Sequence, residues 1–146
     1  MLYHSAVRQS LVAAHNILAG DLPVDRMDFE SVPFTVFAEP EVAWVGLTEH
    51  QARERHGYIE IVCYDYAVEP RAQIFDEMQG FIRLIFACQT SRLVGAQVVG
   101  LDAAQIIAPL ALAVNQGLGA VALTEVVFPH PLVQEGINKA ARQFRV

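Results

Sequence analysis

Three runs dense in β-branched and aromatic residues, Tyr58–Tyr66, Gly80–Cys88 and Leu93–Val99, lie close together near the middle of the chain, and the last two are separated only by the polar Gln89–Arg92. A break this short leaves no room for a crossover helix, so these two runs must pair as an antiparallel hairpin. Two shorter strand-like pieces precede them, Phe34–Phe37 and Val42–Val45, interrupted by Glu39, Pro40 and Glu41. Helical patterns flank the strands. Val7, Leu11, Ala14 and Leu18 recur at helical spacing within Ser5–Leu18, and Gly20 follows as a C-terminal cap. Thr48 and Gln51 have the spacing of a capping box, which predicts a short helix from Glu49 to His56 that stops at Gly57. Asp102–Gln116 is a longer helix that Pro109 should kink or split, and Leu132–Phe144 is a final one. The stretch between Glu69 and Gln79 reads as a loop. Helix, strands with one inserted helix, then helices is the order of an α+β fold: an antiparallel sheet of four to five strands packed with helices.

Composition narrows the function. Hydrophobic residues make up 53% of the chain and charged residues 18%, which excludes a disordered tail and suggests more apolar surface than one core can hide, hence a partner or self-association. A net charge of -6 argues against nucleic acid as a partner, because that binding needs clustered cations. The longest apolar stretch, Ala103–Val114, is too short for a membrane span, and Met1–Arg8 lacks the order of a signal peptide, so a cytoplasmic location is expected. Cys63 and Cys88 are read as two buried free thiols in preference to a disulfide, and no residues have metal-ligand spacing.

One constellation stands out as a candidate for chemistry, Phe128-Pro129-His130-Pro131-Leu132-Val133-Gln134-Glu135. Two prolines hold the backbone on either side of His130, and Glu135 falls in the first turn of the helix that follows. A carboxylate reaching back to one ring nitrogen would fix the tautomer and raise the basicity of the other, the logic of an acid/base dyad. The plainer reading is a proline-bounded helix entry in which Glu135 complements the helix dipole. Glu39 and Glu41 read as marking a bulge or strand edge. Phe34, Phe37, Trp44 and Phe81 read as core or interface aromatics. Arg53, Arg55 and His56 read as a solvated helix end, and Arg71 is a weak candidate for an anion contact.

The whole pattern resembles the C-terminal dimerisation (interface) domain of the pyridine nucleotide–disulfide oxidoreductases, which include dihydrolipoamide dehydrogenase, glutathione reductase and mercuric reductase. Pro33–Glu49, reading PFTVFAEPEVAWVGLTE, is similar to the family's PE…VG…TE stretch. Gly80-Phe81 with Leu93-Val94-Gly95-Ala96 through Gly100 is similar to its hairpin, and His130-Pro131 with Glu135 matches its HP…E signature. The resemblance implies that His130 is an acid/base for a thiol or disulfide in the partner subunit's active site, with Glu135 orienting it. It also implies that residues 1–31 are a helix and connector closing a missing flavin domain, with 32–146 the dimerisation domain. Leu2, Tyr3 and His4 would then lie at the flavin edge, contacting it through backbone N–H groups. FAD and NAD(P)H are implied for the intact enzyme. None is expected on this chain alone, which has no GxGxxG fingerprint and no close cysteine pair and should be inactive by itself. The implied partners are a second copy in a homodimer and the missing FAD and NAD(P) domains. The alternative is a stand-alone, non-catalytic dimerisation module. Leu132 and Gln134 depart from the small hydroxyl residues common in the family, and no cysteine follows Val146 as a mercuric reductase would require.

Overall fold

The computed structural model describes residues 2–145. Five strands form one fully antiparallel sheet, β1 (Phe34–Val36), β2 (Val42–Gly46), β3 (Ile59–Asp65), β4 (Phe81–Ala87) and β5 (Arg92–Val99), in the spatial order β1-β2-β5-β4-β3. The β4–β5 hairpin lies near the centre of the sheet, with a bulge at Ile85/Phe86 that shifts the register. This is the α+β architecture expected of the sequence.

Strand alternation sorts the side chains onto two faces. Val62 and Tyr64, Ile82, Leu84 and Phe86, Ala96 and Val98, and Ala43 and Val45 point to one face and form the main core. There they meet helix α4 (Ala103–Asn115), whose Ile106, Ile107 and Leu110 are fully buried, and helix α6 (Glu135–Ala141). On the opposite face, helix α2 (Glu49–His56) covers only part of the sheet, packing Ala52 with Leu47 and Ile85. The rest of that face is open, crossed by the register-aligned row Cys63, Arg83, Gln97, Trp44 and Phe34. Phe34 and Trp44 stack at 5.2 Å between ring centroids.

Helix α2 has the bounds the sequence predicts. Thr48 accepts from the Gln51 backbone N–H, and the Gln51 side chain accepts from the Thr48 backbone N–H. Helix α1 (Tyr3–Ala19) also forms, yet its apolar stripe is left uncovered: Val7, Leu11 and Leu18 are exposed, and Ser5 alone among the helix's described residues is buried. Asp25 folds the connector back along α1, accepting two hydrogen bonds from Arg8 at 2.6 and 2.8 Å and lying 2.9 Å from His15 Nδ1.

Several local expectations are corrected. Pro109 does not split α4, which runs as one helix, because its buried stripe packed on β2 and β5 outweighs one lost backbone bond. The expected loop after Glu69 contains helix α3 (Pro70–Phe75), with proline at its first position, preceded by a 3-10 turn at Tyr66–Val68. Ala120–Glu125 forms a further short helix, α5, and α6 begins at Glu135 rather than Leu132 and ends at Ala141. Both cysteines are free, but they are not buried. Cys63 is exposed because Val62 and Tyr64 occupy the core-facing positions beside it, and Cys88 is half-buried just beyond the end of β4.

Candidate active site

After α5 the chain runs extended through Val126–Phe128 into Pro129-His130-Pro131 and reaches α6 by a tight turn. The His130–Pro131 peptide is cis, as is Glu39–Pro40. Glu135 opens α6, and its Oε1 lies 3.0 Å from His130 Nδ1. The same oxygen accepts the Leu132 backbone N–H at 3.0 Å. Burial acts to raise the Glu135 pKa, but the Leu132 N–H, His130 and the Lys139 charge outweigh it and hold the carboxyl below the usual glutamate range. An ionised carboxylate can only accept, so the ring presents Nδ1–H to Glu135 and leaves the Nε2 lone pair free. The His130 side chain is 68% exposed and that of Glu135 only 19%, so the acid is anchored while the imidazole projects from the surface. Beside them is a shallow pocket lined by Val127, Phe128, Glu135, Asn138, Lys139 and Arg142. Val127 is 92% exposed.

The turn itself is held from within. Asn138 of α6 donates its side-chain N–H groups to the carbonyls of Thr124, Leu123 and Val126, tying the segment before the prolines to the helix after them. Gly136 is fully packed: a Cβ there would lie 2.7 Å from Ile82 Cδ1 and 2.8 Å from Tyr64 Cδ1. The first turn of α6 therefore sits directly on β3 and β4.

The remaining candidates fall elsewhere. Leu2, Tyr3 and His4 form the N-terminus of α1, which carries no side-chain cap and no acidic residue in its first turn. His4 Nε2 lies 2.8 Å from the Pro33 carbonyl, so its ring faces the globular body. Glu41 has a structural role: its Oε2 accepts the Ala104 backbone N–H at 3.0 Å and caps α4, where Asp102 makes no side-chain capping bond. Arg71 stacks its guanidinium 4.4 Å over the Phe75 ring. Among the described residues, no group of three or more His, Cys, Asp or Glu side chains is placed to hold a metal ion. No described helix is long and apolar enough to cross a membrane.

Residues 32–141 match the family model described as the pyridine nucleotide-disulphide oxidoreductase dimerisation domain. The chain belongs to this family. It is 36% identical over 142 residues to a dihydrolipoyl dehydrogenase of Staphylococcus aureus, covering 97% of this chain and 30% of that protein. It is 30% identical over 140 residues to the mitochondrial dihydrolipoyl dehydrogenase of Caenorhabditis elegans, covering 96% and 28%. The chain thus spans less than a third of the length of these curated relatives. Among solved structures, the HOCl-induced flavoprotein disulfide reductase RclA of Escherichia coli, as its Cu(II) complex, superposes with a TM-score of 0.88 at 27% identity, covering 99% of this chain and 33% of RclA. LpdA of Mycobacterium tuberculosis shares the fold at a TM-score of 0.90 and 24% identity, covering 99% and 31%.

Proposed function

We propose that this dimerisation domain serves a flavin-dependent, dihydrolipoamide dehydrogenase-like disulfide oxidoreductase by lending His130 and Glu135 to the active site of a partner subunit. The observation that carries the reading is the pairing of an anchored carboxylate with an imidazole that faces outward, 3.0 Å from it and largely exposed. His130 Nε2 takes the proton of an attacking thiol, producing the nucleophilic thiolate, and the resulting imidazolium is stabilised by Glu135. The same proton returns to the leaving sulfur when the disulfide is cleaved, since a protonated thiol is the better leaving group.

FAD, held by the rest of the enzyme, would carry electrons between NAD(P)H and the disulfide. Within this chain the α1 N-terminus fits a role toward that group. The uncapped backbone N–H groups around Leu2, Tyr3 and His4 can face an electron-rich ring edge, and the bare Val7, Leu11 and Leu18 stripe fits packing against a missing flavin domain. On this reading residues 1–31 close the flavin domain, 32–146 form the interface domain, and the chain alone is inactive. The half-covered sheet face around Trp44, Phe34 and Arg83 fits a homodimer contact, and the free Cys63 and Cys88 fit a reducing cytoplasm.

The test is His130→Ala in the full-length enzyme. Turnover with the disulfide substrate should fall by about 10²–10⁴-fold, the usual contribution of a general acid/base, while flavin reduction by NAD(P)H stays near the parent rate. Equal losses in both half-reactions would overturn the assignment.

A further inference from the structure

A second ionised cluster lies directly behind the dyad. Glu69, immediately before α3, is fully buried. Its Oε2 accepts from Lys139 Nζ at 2.9 Å and from the Tyr64 hydroxyl at 2.9 Å, while Oε1 has no hydrogen-bond partner among the described residues. Lys139 Nζ also donates to the Tyr64 oxygen at 3.2 Å and sits 5.2 Å over the Tyr64 ring. The lysine is thus pinned by groups from two other elements. It stands four residues after Glu135 on the same helix face, with Nζ 3.9 Å from Glu135 Oε2. Glu135 therefore has three partners, His130 and the Leu132 N–H on Oε1 and the tethered cation on Oε2.

We propose that Lys139 is a positioning residue of the dyad. Moored to Glu69 and Tyr64, it holds the Glu135 carboxylate turned so that Oε1 stays on His130 Nδ1, and so keeps Nε2 the unprotonated nitrogen. The inference rests on the reading of His130 and Glu135 as the acid/base pair. A free cation on a flexible stem would cost rotamer entropy to hold near Glu135, but Lys139 has its stem already fixed by the buried carboxylate. Contacts run from the core to the surface ring through Tyr64, Glu69, Lys139, Glu135 and His130, the Lys139–Glu135 step being an ion pair at 3.9 Å and the others hydrogen bonds.

The readout is the tautomer of neutral His130, measured from the ring ¹⁵N shifts of the 146-residue chain above the imidazole titration. The native chain should show Nδ1–H, and Glu135→Gln should shift the ring toward Nε2–H. Glu69→Gln/Lys139→Met removes the cation without stranding a buried charge. It should lower the Nδ1–H to Nε2–H ratio by about two- to fivefold, the scale of one partly exposed charge contact. If that variant fails to fold, Glu69→Gln alone removes the mooring and should move the ratio in the same direction. A native Nδ1–H signal that Glu135→Gln abolishes but the Glu69 and Lys139 variants leave unchanged overturns the role of Lys139 and spares the dyad. A native ring already mixed between tautomers overturns the dyad itself, and the role of Lys139 with it.

Discussion

Lys139→Met should destabilise the fold far more than a helix-surface substitution normally does. The structure supplies the magnitude. Glu69 has no exposed surface, its Oε1 already lacks a partner among the described residues, and Lys139 provides the opposing charge on Oε2. Removing one member of a buried pair costs about 3–5 kcal/mol. The Lys139 side chain is 33% exposed, so water softens the loss, and about 3 kcal/mol is the figure to test. Against a total stability of roughly 5–15 kcal/mol that is a large fraction, worth a fall in Tm of about 6–12 °C for a chain of this size. The assay is urea unfolding followed by Trp44 fluorescence and far-UV circular dichroism. Glu69→Gln/Lys139→Met, which leaves a neutral amide to accept the Tyr64 hydroxyl, should recover to within about 1 kcal/mol of the parent. A loss below about 1 kcal/mol in the single variant would mean that the pair is solvated in practice. A double variant as damaged as the single one would refute the charge argument and assign the cost to the lysine stem packed over Tyr64.

Two further outcomes follow from the same region. Gly136→Ala gains about 0.5–1 kcal/mol in helix preference but drives a methyl into Ile82 and a Tyr64 ring held by its own hydrogen bonds. With overpacking at about 1–3 kcal/mol, urea unfolding should show a net loss of about 1 kcal/mol, and a stabilised variant would mean that Ile82 simply rotates away. Glu135 has its folded pKa held below the ordinary value of 4.5, so the unfolded chain binds the proton more readily. Its stabilising contribution is present in full above that value and is lost as the pH falls through the folded pKa. The stability gap between parent and Glu135→Gln should therefore be open at pH 7 and close on acidification below about 4.5, and a gap that stays constant into acid would rule out the carboxylate as its source.

Local rules made much of the chain legible. The capping box at Thr48 and Gln51 set the start of α2 and Gly57, at φ 68°, its end, because both signals act between residues a few positions apart and need nothing from the rest of the molecule. The polar gap after Cys88 dictated the β4–β5 hairpin, since no other pairing is within reach of so short a link. The pair was legible for the same reason: His130 and Glu135 are five positions apart, with Pro131 limiting the backbone between them.

What the sequence by itself determined, then, was carried by spacings of a few residues: the strand pattern, the helix caps, and the pairing of His130 with Glu135. Only the tertiary structure decided the rest. Helices α3 and α5 are six residues each, too short to persist unless packing holds them, so no local pattern announced them. Pro109 stayed inside α4 because burial against the sheet outweighed its missing N–H, and Cys63 reached the open face because its neighbours took the core-facing positions. Glu69 and Lys139 stand 70 positions apart, so no local spacing links them; β3, α3 and α6 converge to bring them together and take the carboxylate out of water. An ion pair across such a distance depends on the fold being complete, and that is why the group standing behind His130 and Glu135 could be seen only in three dimensions.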